Sequence, residues 1–297
     1  MSALPPRFSG SMTALVTPFR DGAIDWDAFG VIVERQIASG SSALVPCGST
    51  GEAATLSHGE HAAVVRFVVE RARGRVPIIA GTGSNSTAEA IELTTEAKRA
   101  GAAGALLISP YYNKPTQEGL LRHYLTIADR VDLPLVLYNI PGRTASRIEA
   151  ATIARLADHP NIVGLKESDS LDHALDVRHA AGDRIELYAG DDAAAFALIA
   201  LGGVGLISTI ANVVPREMAE LVAASRAADL EHARALQMRL LPLMRACFVE
   251  TNPIPVKHAV SLLGLCRDEL RLPLTPLGAS GRAVVEQAMR DLGLLAP

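Results

Sequence analysis

Eight short apolar runs, helical patterns between them, and a loss of strand signal after Pro215 predict a (β/α)8 TIM barrel with a C-terminal helical extension. The runs are 12–17, 43–47, 76–81, 105–109, 133–139, 162–166, 185–189 and 204–208. Helix-like segments at 26–39, 57–73, 86–100, 116–129 and 148–157 fall between them. Strands alternating with helices need right-handed crossovers and a parallel sheet. An open doubly wound sheet would carry a phosphate-binding glycine fingerprint near its first strand. The nearest candidate, GTGSNST at Gly81, follows the third run and lacks the third glycine, so its glycines read as turn residues. Beyond Pro215 the segments 217–227, 230–248, 255–263 and 280–292 are all helical in pattern. The expected division is residues 1–225 for the barrel with its active site and 226–297 for the extension.

Composition narrows the function. The chain has 297 residues, 49% hydrophobic and 20% charged, with a formal net charge of −4. That is an ordinary soluble composition without the basic field that a nucleic acid or an anionic membrane needs. The three cysteines, Cys47, Cys247 and Cys266, are widely spaced, which suits neither a disulfide framework nor a zinc site. They read as reduced thiols in a cytoplasmic protein. The start, MSALPPRFSGSM, has no basic segment followed by an apolar one, so no secretory signal is expected. Residues 193–214 contain no charge, but Gly202, Gly203 and Gly205 divide them. They read as a helix, a turn and a buried strand rather than a membrane span.

In a barrel of this kind the working face lies at the C-terminal ends of the strands. Chemistry gathers there. The second run ends in PCGSTGEAATLS, which sets Ser49 and Thr50 in a glycine-flanked loop; a turn with an N-cap is the plainer account. The fourth ends in SPYYNKPTQEG, with Tyr111 and Tyr112, which also suit an interface. The fifth ends in YNIPGRT, with Tyr138 and Arg143, and the seventh in GDD at Gly190, Asp191 and Asp192. Arg143 also suits a surface ion pair, and Asp191 a helix cap. The sixth ends on Lys166. That lysine is either a strand-end residue reaching water or a partly buried amine that forms Schiff bases. One amine, several hydroxyls and one guanidinium on a single rim are what carbonyl chemistry on carboxylated substrates requires. No cluster has metal-ligand spacing, and no metal is expected.

The motifs TALVTPF, PCGSTGEAATLS, PYYNKPTQEG, YNIPGRT, GLKES, AGDD, ISTIANV and NPIPVKHA run from end to end of the chain. In this set the sequence resembles the dihydrodipicolinate synthase (4-hydroxy-tetrahydrodipicolinate synthase) family of the N-acetylneuraminate lyase superfamily, class I pyruvate aldolases. The resemblance implies a lyase that condenses pyruvate with L-aspartate 4-semialdehyde, on the path to diaminopimelate and lysine. It implies no cofactor beyond a covalent Schiff base at Lys166. Tyr138 would transfer protons beside that lysine, with Ser49 and Tyr112 completing the relay and Tyr112 reaching a neighbouring subunit's site. Thr50, Gly190 and the backbone near Ile207 would hold the pyruvate end, and Arg143 the carboxylate of the semialdehyde. A homotetramer built as a dimer of dimers is implied.

Two departures qualify the resemblance. Ser49 stands where the family usually has threonine, which keeps the hydroxyl and loses the methyl that fixes its rotamer. Serine there also occurs in neuraminate lyase-like members, whereas those generally lack the arginine at 143. A superfamily lyase or dehydratase acting on a sugar acid is therefore the alternative, and a barrel that has lost catalysis is the reading from another class. His58, His61, Asn85, Glu89 and Tyr111 fall at the family's lysine-feedback positions, while Ala53 replaces a usual serine. At most partial inhibition by lysine is expected; a solvated first helical turn is the plainer account of the two histidines.

Overall fold

The computed structural model describes residues 7–296. Its main sheet has eight strands: β1 Gly10–Ala14, β2 Ala43–Val45, β3 Ile79–Gly81, β4 Gly104–Ile108, β5 Leu135–Asn139, β6 Ile162–Glu167, β7 Glu186–Ala189 and β8 Gly205–Ser208. Their order across the sheet is β2-β1-β8-β7-β6-β5-β4-β3, with every pairing parallel. A parallel bridge between Leu44 and Ile78 closes the ring, reinforced by the Gly81 N–H donating to Pro46 O at 2.9 Å. The expected barrel is therefore present.

Alternation along each strand divides the apolar side chains into two cores. Val136 and Tyr138 join Met12, Val45, Ile79 and Ile207 in a small cluster that fills the barrel. Leu135 and Leu137, one residue out of phase, join the larger cluster that includes the apolar faces of the surrounding helices. Two strands begin later than their apolar runs suggest. Pro77 and Pro134 have no N–H to give the ladder, and the strands follow them, at Ile79 and Leu135.

The barrel helices are α1 Trp26–Ala38, α2 His58–Ala72, α3 Thr87–Ala100, α4 Gln117–Arg130, α5 Ala150–Leu156, α6 Leu171–Ala181, α7 Ala195–Ala200 and α8 Pro215–Arg226. Ser57, Ser86 and Thr116, read from sequence as first helical residues, are N-caps whose side chains accept backbone N–H groups. Helix α6 is required by the (β/α)8 pattern but is weakly marked in the sequence. Its buried face carries His173, Ala174, Val177 and Ala181, too small and too polar to mark a helix by hydropathy. The uncharged stretch resolves into α7 and β8 as expected, and no described helix is long and apolar enough to cross a membrane.

The extension comprises α9 Leu230–Ala246, α10 Ile254–Leu262 and α11 Ala279–Asp291. Between α9 and α10 the chain returns to the C-terminal rim of the barrel, where Asn252 meets the loop after β2.

Candidate active site

Strand pairing brings the two central residues together. In register, Tyr138 on β5 lies opposite Lys166 on β6, and Lys166 opposite Tyr188 on β7. All three are buried, Lys166 being 6% exposed. The Lys166 amine lies over the face of the Tyr138 ring, 4.1 Å from its centroid. No carboxylate pairs with it among the described residues. Gly190 fits against its stem: a Cβ there would stand 3.0 Å from Lys166 Cε and 1.9 Å from Ser168 Oγ. Only glycine lets the chain after β7 pass this close.

The alternate residues of the same strands face outward and lock the pair from behind. Asn139 Nδ2 donates to both Glu167 oxygens at 3.1 and 3.2 Å, and the Asp169 N–H donates to Glu167 at 2.6 Å. His173 Nδ1 lies 2.7 Å from the same carboxylate. Burial alone would lower the His173 pKa, but its hydrogen bond to Glu167 and that residue's charge leave it raised. Glu167, Asp169 and His173 bring ligand-type atoms within 4.8 Å of one another. Each is already engaged in this network, with Asp169 paired to Arg147, so the cluster reads as a structural lock.

Above Tyr138 opens a cavity of about 500 Å³, whose wall includes Ser49, Tyr138 and Arg143. Lys166 meets this wall through the Tyr138 ring rather than lining it. The loop carrying Ser49 is held by backbone turns, with Cys47 and Glu52 both in the left-handed region at φ 57° and 53°. Thr50 is buried, and its Oγ1 accepts a hydrogen bond from Asn252 Nδ2 at 2.9 Å. Its own hydroxyl proton is thus left to donate. Arg143 gives one hydrogen bond to Asn252 O at 2.8 Å and has no carboxylate partner among the described residues. Ile207 packs inside the barrel with Tyr138 and Tyr188. Cys47 also faces the cavity, but burial pushes its thiol well up, so its sulfur is a poor nucleophile.

Two expected residues behave differently from the rest. Tyr112 is 89% exposed, with φ at 73°, and contributes nothing to the cavity of its own chain. Asp191 caps the short turn after β7 by accepting the Ala193 N–H, the plainer of its two readings.

The candidate feedback residues gather on the same cavity. His58, His61, Glu89 and Tyr111 share its wall with Ser49 and Arg143. His58 Nε2 sits 2.9 Å from Glu89, which also accepts from Ser84. Asn85 Nδ2 donates to Tyr111 O at 3.1 Å. His61 corrects the expectation of a solvated turn: it is 5% exposed, and its Nε2 lies 2.7 Å from Gly81 O. Burial lowers its pKa, which favours the neutral ring that donates to this carbonyl.

Sequence reasoning gave no role to Asn252 or Asp192. Asp192 is buried behind the turn after β8, accepting from Ser208 Oγ at 2.5 Å and from the Thr209 and Ile210 N–H groups at 3.1 Å each. Burial pushes its carboxyl up to about 6 against the pull of those donors. It fixes the backbone that follows Ile207. Its place in the GDD motif was visible in the sequence; its burial was not.

The arrangement offers a buried amine against a phenol, hydroxyls, and a guanidinium free to bind a carboxylate. The sequence model of the dihydrodipicolinate synthetase family matches residues 7–292. The chain belongs to the dihydrodipicolinate synthetase family. A 4-hydroxy-tetrahydrodipicolinate synthase of Pelobacter propionicus is 52% identical over 289 residues, 97% of this chain and all of the relative. The solved structure of the chloride-inhibited dihydrodipicolinate synthase of Acinetobacter baumannii, complexed with pyruvate, is 46% identical and superposes with a TM-score of 0.95. It covers 97% of this chain and 100% of that one. The synthase of Cyanidioschyzon merolae, solved with lysine bound, is 40% identical with a TM-score of 0.94, over 98% and 100% of the two chains.

Proposed function

We propose that this chain is a 4-hydroxy-tetrahydrodipicolinate synthase, a lyase joining pyruvate to L-aspartate 4-semialdehyde through a Schiff base at Lys166. The observation that carries the reading is Lys166 paired in register with Tyr138 beneath a cavity that also holds Ser49 and Arg143, the latter without a carboxylate partner among the described residues. The Lys166 amine adds to the pyruvate carbonyl and water leaves, giving an imine. The imine nitrogen takes a proton, the methyl group loses one, and the enamine results. Its carbon attacks the aldehyde, forming the new C–C bond and an alkoxide that takes a proton. The substrate's own amine then adds to the imine carbon and displaces Lys166, closing the ring.

Each step needs a proton moved, and Tyr138 stands against the reacting nitrogen for that task. Ser49 and Tyr112 of the partner subunit extend the relay. Thr50, Gly190 and the backbone at Ile207 hold the pyruvate carboxylate, and Arg143 receives that of the semialdehyde. Residues 1–225 form the catalytic barrel and 226–297 the extension. A homotetramer built from two dimers suits the exposed Tyr112, and three free cysteines suit the cytoplasm.

The test is turnover of pyruvate with L-aspartate semialdehyde, coupled to the next reductase and followed by NADPH loss. Rapid turnover is expected. No turnover, in a protein that still traps pyruvate at Lys166 with borohydride, would redirect the search to sugar acids and make Arg143 the misread residue.

His58, His61, Glu89 and Tyr111 on the wall of the same cavity, with Asn85 bonded to Tyr111, form an effector site for lysine. Millimolar lysine is expected to lower turnover without abolishing it. Unchanged rates at millimolar lysine would remove this assignment.

A further inference from the structure

We propose that Glu52 and Lys257 are positioning residues for the reaction: a buried ion pair through which the C-terminal extension holds the Ser49–Thr50 loop. The inference rests on the roles proposed above for Ser49, Thr50 and Arg143.

Lys257 lies in the NPIPVKHA motif, five residues after Asn252, and has no task of its own in the chemistry above. Its side chain and that of Glu52 are both 0% exposed, and the two form an ion pair. The partners are 205 positions apart in the chain. Glu52 follows the GSTG turn directly and keeps a left-handed backbone, φ 53°, without being glycine. Such a conformation persists where surrounding contacts over-determine it. Those contacts are present. One carboxylate oxygen takes Lys257, and the other accepts the Arg271 N–H at 3.1 Å. The Glu52 N–H then donates to Ser49 O at 3.2 Å, so the fixed residue fixes the hydroxyl-bearing one.

The same stretch of chain reaches two more site residues. Asn252 donates to Thr50 and accepts from Arg143. The cations are themselves held: Lys257 Nζ and the Arg271 guanidinium flank the Phe19 ring, 4.2 and 4.5 Å from its centroid. Arg271 also binds both oxygens of Glu60 at 2.8 and 2.6 Å, and the Thr55 carbonyl at 3.0 Å.

Stability alone gives no reason for charge here, because a buried ion pair is commonly replaced by apolar residues of like volume without loss. What an apolar pair lacks is direction. Two donors aimed at two carboxylate oxygens set the rotation of Glu52 and hence the angle of the turn. A loop displaced by about 1 Å costs on the order of 100-fold in rate.

The experiment compares the parent enzyme with Glu52→Gln and with the double variant Glu52→Gln/Lys257→Met. The double variant removes both charges at similar volume. It is expected to melt within about 4 °C of the parent and to trap pyruvate at Lys166, while kcat falls about 10- to 100-fold. Recovery of parental kcat together with parental melting would reduce the pair to a structural element and overturn the proposal. Should the double variant not fold, Glu52→Gln decides. Its amide must set a donor against either Lys257 or Arg271, so kcat falls while the adduct still forms; parental kcat in this variant would equally overturn the proposal. A parent that traps no pyruvate would instead remove the reading on which the proposal rests.

Discussion

Lys166→Ala is expected to abolish turnover, by about 10⁴-fold or more, as removal of a covalent nucleophile does. In the parent, borohydride with pyruvate adds a 1-carboxyethyl group to one residue, Lys166, and inactivates the enzyme. In the variant no mass is added. The fold should tolerate the change, because Lys166 serves no ion pair among the described residues and its ring contact is with Tyr138 alone. Strand register there is kept by Asn139 and Glu167 on the opposite face. Far-ultraviolet circular dichroism and melting temperature close to those of the parent would separate lost chemistry from lost structure. Trapping at another residue, or persistent trapping in the variant, would sink the Schiff-base assignment. The other buried amine among the described residues, Lys257, is already paired.

How far the sequence revealed this site depends on the distance over which its contacts act. The strand runs ending on Tyr138 and Lys166 were legible because alternation and burial are local properties. Placing both on one rim needed only the rule that barrel chemistry lies at the strand ends. Their direct juxtaposition follows from register, which the sequence does not state. Thr50 was legible as a loop hydroxyl, but its partner Asn252 lies 202 positions away and appeared only as part of a motif without a role. Lys257 and Arg271 were invisible for the same reason. No periodicity marks a cation that faces a carboxylate from the other end of the chain. His61 was misread in its plainer account because one polar residue in a first helical turn looks solvated whether or not a carbonyl waits beneath it. Asp192 was seen as a rim acid, whereas the Thr209 and Ile210 amides that hold it come from the following strand's turn.

Tyr112 is the residue whose proposed role requires a second copy of the chain. Its side chain is 89% exposed, its backbone is left-handed, and its own cavity does not use it. In a two-fold dimer the same patch on each protomer meets the other, so each Tyr112 can complete its neighbour's relay. Tyr112→Phe alone is expected to lose about 10²-fold in kcat, the worth of one proton-transfer group. Lys166→Ala alone is inactive. Mixed through a dissociation and reassembly cycle, half of the dimers become heterodimers. In each of these, one site pairs an intact Lys166 with an intact Tyr112 from the other chain. About a quarter of all sites are then whole, and the mixture should reach about a quarter of parental activity. If both residues served the same chain's site, no mixture could assemble a whole site, and activity would stay at that of the Tyr112→Phe protein present. That outcome would return Tyr112 to its own protomer.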